Sequence, residues 1–183
     1  MTDWPQIITE YGPLVWRTAQ RLLRHEADAA DCFQRTFISA VEVCERETVR
    51  NWPGLLCRLA TARALEQLRQ RSIERERFAV SKNGSQVDAA VDHRNTIPEL
   101  AAQADELAET LRKSLSKIEP RQAEVFCHVC LDEFSYAETA EQLGITPNHV
   151  GVLLNRAKAA LREQLESFHL SEDIESKTAE GKP

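Results

Sequence analysis

Glycine is scarce in this chain, with six among 183 residues, and aromatic side chains make up only 6%. Runs of β-branched and aromatic residues are equally thin, which argues against a sheet. No apolar run approaches the roughly 20 residues that cross a bilayer. The opening Met1-Thr2-Asp3-Trp4-Pro5 lacks the basic-then-apolar layout of a secretory leader. These absences predict a cytoplasmic protein. Five cysteines (Cys32, Cys44, Cys57, Cys127, Cys130) are an odd, scattered set, which suits reduced thiols better than a disulfide framework. The chain has no glycine-rich phosphate loop, no Gly-x-Ser-x-Gly elbow and no His-Glu-x-x-His helix. Its carboxylates show no convincing catalytic pair, so no enzyme, cofactor or metal is expected. One Cys-x-x-Cys, Cys127 to Cys130, lies among Val125, Phe126 and Leu131, where core packing is favoured over zinc binding.

What remains is rich in Ala, Leu, Arg, Glu and Gln, the composition of an all-α protein. The net charge of −6 disfavours nucleic acid at first sight, but its distribution matters more. Residues 50–77 carry seven arginines against three glutamates, while the acidic excess sits at 79–110 and in the last 15 residues. No lysine precedes Lys82, so the early cations are all guanidinium forks, which match phosphate geometry.

Apolar residues at three-to-four spacing predict helices over about 7–25, 28–47 and 53–78. Between Ala79 and Pro98 the periodicity fails around Ser81-Lys82-Asn83-Gly84-Ser85, as in a flexible linker. Further helices are predicted over about 99–117, 120–131, 135–143 and 147–168, followed by a disordered tail over 169–183. The expected architecture is therefore two small helical domains, 1–78 and 99–168, on a tether.

The sharpest local pattern runs from Phe134 to Val150. Ser135 and Glu138 have the spacing of a capping box, and Gly144 supplies a left-handed stop. Thr146 then caps a second helix, with Pro147 in its first position. Ala140, Gly144 and Val150 have the spacing of a helix-turn-helix: a small residue where backbones cross, a tight turn, and an apolar lock. Val150, Leu154, Ala157 and Leu161 form the expected buried stripe, leaving Asn148, His149, Val152, Asn155 and Arg156 facing outward.

Two blocks carry a family resemblance. Ile118-Glu119-Pro120-Arg121-Gln122-Ala123-Glu124-Val125-Phe126, followed by the helix-turn-helix, resembles region four of bacterial sigma factors. Asp28-Ala29-Ala30-Asp31-Cys32-Phe33-Gln34-Arg35-Thr36-Phe37 resembles region two, in the pattern Asp-x-x-Asp-x-x-Gln-x-x-Phe. The order and length match the small extracytoplasmic-function group. The resemblance implies RNA polymerase core as partner, held through the β′ clamp helices and the β flap, with Asp28, Asp31, Gln34 and Arg35 on the docking face. It implies promoter DNA as the second partner. Minus-ten candidates are Arg50, Asn51 and Trp52 of the loop, then Arg58, Thr61, Arg63, Gln67 and Arg71 of the third helix. Trp52 is equally suited to pinning that helix to the core. Minus-thirty-five candidates are Ser135, Thr146, Asn148, His149, Val152, Asn155, Arg156 and Lys158. An anti-sigma factor is a further implied partner, and the free protein is expected to be a monomer.

Some positions depart from the family pattern. Thr61-Ala62 replaces the common Arg-Asn, Arg35 an acidic residue, and Val41 and Leu55 stand where tryptophan is frequent. Gly151 and Leu153 occupy recognition-helix positions that usually hold basic or small polar residues. Two alternatives stay open. A dimeric helix-turn-helix regulator would use residues 135–162 and leave 28–37 idle. A degenerate sigma-like module would bind polymerase or an inhibitor without reading DNA.

Overall fold

The computed structural model describes residues 2–81 and 98–179, with side chains for 2–77 and 104–166. Most of the expected linker (82–97), Met1 and the last four residues lie outside the described residues. Among those described, the structure is entirely helical: α1 Trp4–Leu22, α2 Glu26–Cys44, α3 Trp52–Ser81, α4 Pro98–Lys117, α5 Pro120–Phe126, α6 Tyr136–Leu143 and α7 Pro147–Ala179. A single π turn, Cys127–Leu131, continues α5. One expectation is corrected here: residues 169–179, read as disordered tail, continue the α7 helix.

Local chemistry explains the helix starts. Asp3 caps α1 by accepting from the Gln6 N–H at 3.1 Å, with Pro5 in the first turn. The Asn51 side chain accepts from Gly54 N at 3.0 Å and so caps α3. Glu119 accepts from Gln122 N at 2.9 Å, again ahead of a proline.

α1, α2 and α3 form a front unit around Ile7, Val15, Phe37, Ala40, Leu56 and Ala60. Leu56 is fully buried, which contributes roughly 1.5–3 kcal/mol of transfer free energy. Phe33 packs at 5.0 Å from Phe37 and edge-on to Trp16 at 6.0 Å, so the aromatics of α2 serve the core. α5, α6 and α7 form a rear unit around Val125, Ala140, Leu143, Val150, Leu153 and Leu154. A third core joins the two. Ala19, Leu22, Leu23, Ala29, Cys32, Ala64 and Leu65 of the front unit meet Leu115, Ile118, Ala123, Cys127, Ala157 and Leu161 of the rear. α4 lies between them, packed on both α3 and α7.

Candidate nucleic-acid interface

In the rear unit, the caps read from the sequence are all formed. Ser135 N donates to the Glu138 carboxylate at 2.8 Å, and Glu138 N donates to Ser135 Oγ at 3.2 Å. Ser135 Oγ–H donates to the same carboxylate at 2.6 Å, and these bonds hold Glu138 below its usual carboxylate range. Gly144 ends α6 at φ 63°, where an L side chain is strained. His149 N then donates to Thr146 Oγ1 at 3.3 Å and opens α7. Val150, Leu154, Ala157 and Leu161 are buried as the stripe requires. Asn148, His149, Val152, Asn155, Arg156 and Lys158 are exposed together on the opposite side. Thr146 and Ser135, counted among the contact candidates, are engaged as caps.

Of the two departures on α7, Leu153 has a local explanation. Leu153 is 6% exposed within the rear core, so this departure from the family pattern is a packing residue and not a lost DNA contact. A Cβ on Gly151 would meet the Tyr136 ring at 3.4 Å, an ordinary contact, so nothing in the structure explains a glycine there.

In the front unit the candidate residues are tied to one another across two antiparallel helices. Arg71 pairs with Asp28, Gln67 donates to Asp31 at 3.4 Å, and Arg63 donates to Ser39 Oγ at 3.1 Å. Arg35 pairs with Asp31 at 2.9 Å. The polymerase set on α2 and the minus-ten set on α3 thus share one polar ladder. Asp28 is the most enclosed of the four polymerase candidates, its side chain 15% exposed, while Gln34 and Arg35 project into solvent. Arg58 is half-buried and Arg50 exposed. Trp52 packs edge-on against Trp4 at 5.6 Å within the front core, so it pins the start of α3. Thr61 is a correction: expected on the outer side of α3, it is fully buried. It lies one turn from both Cys57 and Leu65, which are buried as well.

A groove of about 610 Å³ opens at the end of the front bundle, lined by Tyr11, Thr48, Val49 and Trp52. Its rim bears Asp3, Glu10, Glu45 and Glu47 against Arg46. Such a rim suits a base or an aromatic group better than a phosphate.

Sequence reasoning missed two arginines. Arg121 donates to the Leu143 carbonyl at 2.5 Å and pairs with Glu124 at 2.9 Å. It therefore closes the C-terminal end of α6 and sets the first helix of the helix-turn-helix against α5. Arg21, at the end of α1, donates to the Leu131 carbonyl and meets Asp132 at 3.2 Å. No local signal marked it, because its partners lie about 110 residues away. Cys127 is buried in the shared core while Cys130 is exposed, so the two thiols of the Cys-x-x-Cys do not converge. His128 is buried against Phe134, rings parallel at 5.6 Å, and lies 3.4 Å from Asp132.

The family model described as Sigma-70 region 2 matches residues 7–73, and Sigma-70, region 4 matches residues 108–161. ECF RNA polymerase sigma factor SigE of Mycolicibacterium smegmatis is 28% identical over 178 residues, covering 96% of this chain and 66% of that protein. The chain thus spans slightly less than two thirds of that relative's length. SigW of Bacillus subtilis, also an ECF RNA polymerase sigma factor, is 25% identical over 162 residues and 87% of each chain. Among solved structures, the sigma factor RpoE in complex with the anti-sigma factor NepR, from Bartonella quintana, superposes with a TM-score of 0.53. That match covers 91% of this chain and 98% of the other at 19% identity, a likeness of fold.

Proposed function

We propose that this chain, which belongs to the sigma-70 family in its extracytoplasmic-function group, is a sigma factor that directs RNA polymerase core to promoters and starts transcription there. The observation that carries the reading is the simultaneous exposure of two polar helix faces, one in each matched region. Gln34 and Arg35 are exposed on α2, and Asn148, His149, Asn155 and Arg156 are exposed on α7.

The first face docks on the β′ clamp helices. Asp28 and Asp31 act mainly by holding Arg71, Gln67 and Arg35 in place. The second face enters the major groove of the minus-thirty-five element, with Arg156 and Lys158 supplying phosphate or base contacts. For the minus-ten element, Arg50 approaches the backbone while the groove beside Thr48 and Trp52 receives an unstacked base. The protein acts by binding, without chemistry of its own, in the cytoplasm beside polymerase. An anti-sigma factor, as RpoE has in NepR, is a partner of the same class for this chain.

The degenerate-module alternative loses part of its motive. Of the four departures behind it, Leu153 and Thr61 are buried, so neither side chain lies on a surface. Purified protein mixed with core polymerase is expected to give promoter-specific run-off transcripts. Absence of any complex with core would end the reading.

A further inference from the structure

The outer face of α2 carries more than its charged residues. At about 100° per residue, Gln34, Ile38 and Val41 fall within roughly 60° of one another around that helix. Ile38 is 60% exposed and Val41 38%. The buried side of α2 runs through Ala29, Cys32, Thr36 and Ala40, away from Ile38. Helix propensity does not explain the pair either, because β-branched residues lose rotamer freedom in a helix and form one less well than Ala, Leu or Glu. Single aliphatics scattered over a surface are ordinary. What distinguishes these two is the charge beside them.

Toward α3, each of the three carboxylates along the polar ladder is answered from within the chain. Arg71 meets Asp28, Arg35 meets Asp31 at 2.9 Å, and Arg63 meets Glu66 at 3.1 Å. Gln67 adds an N–H to Asp31 at 3.4 Å, and Arg63 a second bond to Ser39. Three carboxylates against three guanidiniums leave the ladder neutral. Glu42, one turn beyond Ile38 and exposed, is a further carboxylate near the aliphatic pair. Arg35 stands where the family pattern has an acidic residue, so a position that would add a negative charge cancels one instead. A partner's cation brought to Asp31 would have to displace Arg35. Exchanging one exposed ion pair for another gains little.

We propose that polymerase core holds this chain through Ile38 and Val41, seated on an aliphatic patch of the clamp helices, while Arg35 serves to cancel Asp31 rather than to pair with the partner. This rests on the sigma-factor reading and names the partner chemistry of its first face. Burying two aliphatic side chains supplies affinity that owes nothing to charge. Gln34 beside them brings an amide, which suits a neutral hydrogen-bonding group at the rim. A partner surface with an aliphatic centre therefore fits, and one that relies on a cation opposite Asp31 does not.

Binding of the full-length chain to core polymerase, measured from low to high salt, tests this. The ratio of variant to native Kd is read at each salt concentration, so that contributions from the rest of the chain cancel. Ile38→Ala should weaken binding about tenfold at every concentration, because burial of an apolar side chain is not screened. Its melting temperature should match the native value, since the atoms removed are largely exposed. Ile38→Leu should restore binding to within about twofold of native. Arg35→Gln, which removes the charge and nearly keeps the length, should also stay within about twofold across the whole salt range. The proposal is overturned if Ile38→Ala binds core as tightly as the native chain, or if Ile38→Leu fails to restore what Ile38→Ala loses. It is equally overturned if Arg35→Gln shifts the affinity about tenfold at low salt and the shift fades at high salt, because the partner would then be reading charge. If the native chain does not bind core at all, the sigma-factor reading falls and this proposal with it. If the native chain binds and the variants miss these values, only the proposal falls.

Discussion

The front and rear units solve opposite problems with similar helices. In the rear unit the polar side chains at the start of α7 are exposed among the described residues, on a helix fixed by caps at Ser135, Gly144 and Thr146. Under the proposed function, its reading surface is complete before any partner arrives. In the front unit the polar side chains of α3 are already engaged, Arg71 by Asp28, Gln67 by Asp31 and Arg63 by Ser39. Under the proposed function, contact with DNA there must compete with bonds inside the protein. A helix-turn-helix meets a regular duplex and benefits from a rigid, prepared face. A surface that traps an unstacked strand meets an irregular partner, and internal pairing keeps its cations in place until that partner forms.

The strongest way to break this comparison is to attack what the two units share. Leu65 is fully buried in the core that joins them, and Leu65→Ala is expected to cost about 3 kcal/mol. Thermal unfolding should show both units losing stability together, with hydrogen exchange accelerated in α1 and in α5 alike. Loss confined to α1–α3 would mean that the rear unit folds independently of the shared core.

A smaller effect separates the two reading surfaces. Arg156→Ala should weaken binding to minus-thirty-five DNA by about 1–3 kcal/mol and leave the melting temperature unchanged. If Arg156 meets a phosphate, the slope of log K against log salt should also fall by about one. Arg71→Ala should behave differently, lowering stability by about 1 kcal/mol because it strands the enclosed Asp28 carboxylate. Equal effects of the two substitutions on stability would erase the distinction between a free face and an engaged one.

The helix-turn-helix was legible to the residue because its determinants are local. Cap, turn and stripe lie within one stretch of chain, and each residue type has one physical reason to be there. The helices of the front unit were legible from periodicity, with boundaries shifted by about three residues at α1 and α2. What the sequence could not display was the contact between the units. Thr61 looks like an outward residue when α3 is considered alone, and only the packing of the other helices around α3 makes it interior. Arg21 looks like any arginine ending an amphipathic helix until Leu131 and Asp132 are brought to it. Leu153 could be read as a missing DNA contact because the 3.6-residue period places it at the edge of the stripe; packing against the rear core decides the matter. Long-range burial is the information that periodicity omits.

The mildest prediction tests the rear unit's reliance on its local caps. Glu138 is held below its ordinary value, near 4.5, first by the Ser135 hydroxyl and then by the Ser135 backbone N–H. Its carboxylate accepts both bonds more strongly when ionised, so the folded state binds its proton less readily than the unfolded chain. The resulting stability is present above the ordinary value and is lost as pH falls through the lower, folded one. Near neutral pH, Glu138→Gln should lower the melting temperature of the rear unit slightly. Under acid the native protein should lose that advantage and converge on the variant. The front unit, whose α2 starts without a side-chain cap bond, offers no such matched pair, so its hydrogen exchange should be indifferent to the substitution. A constant gap between native and variant across the acid range would show that the cap acts through packing and not through charge, and the rear unit would then depend on its core as much as the front one does.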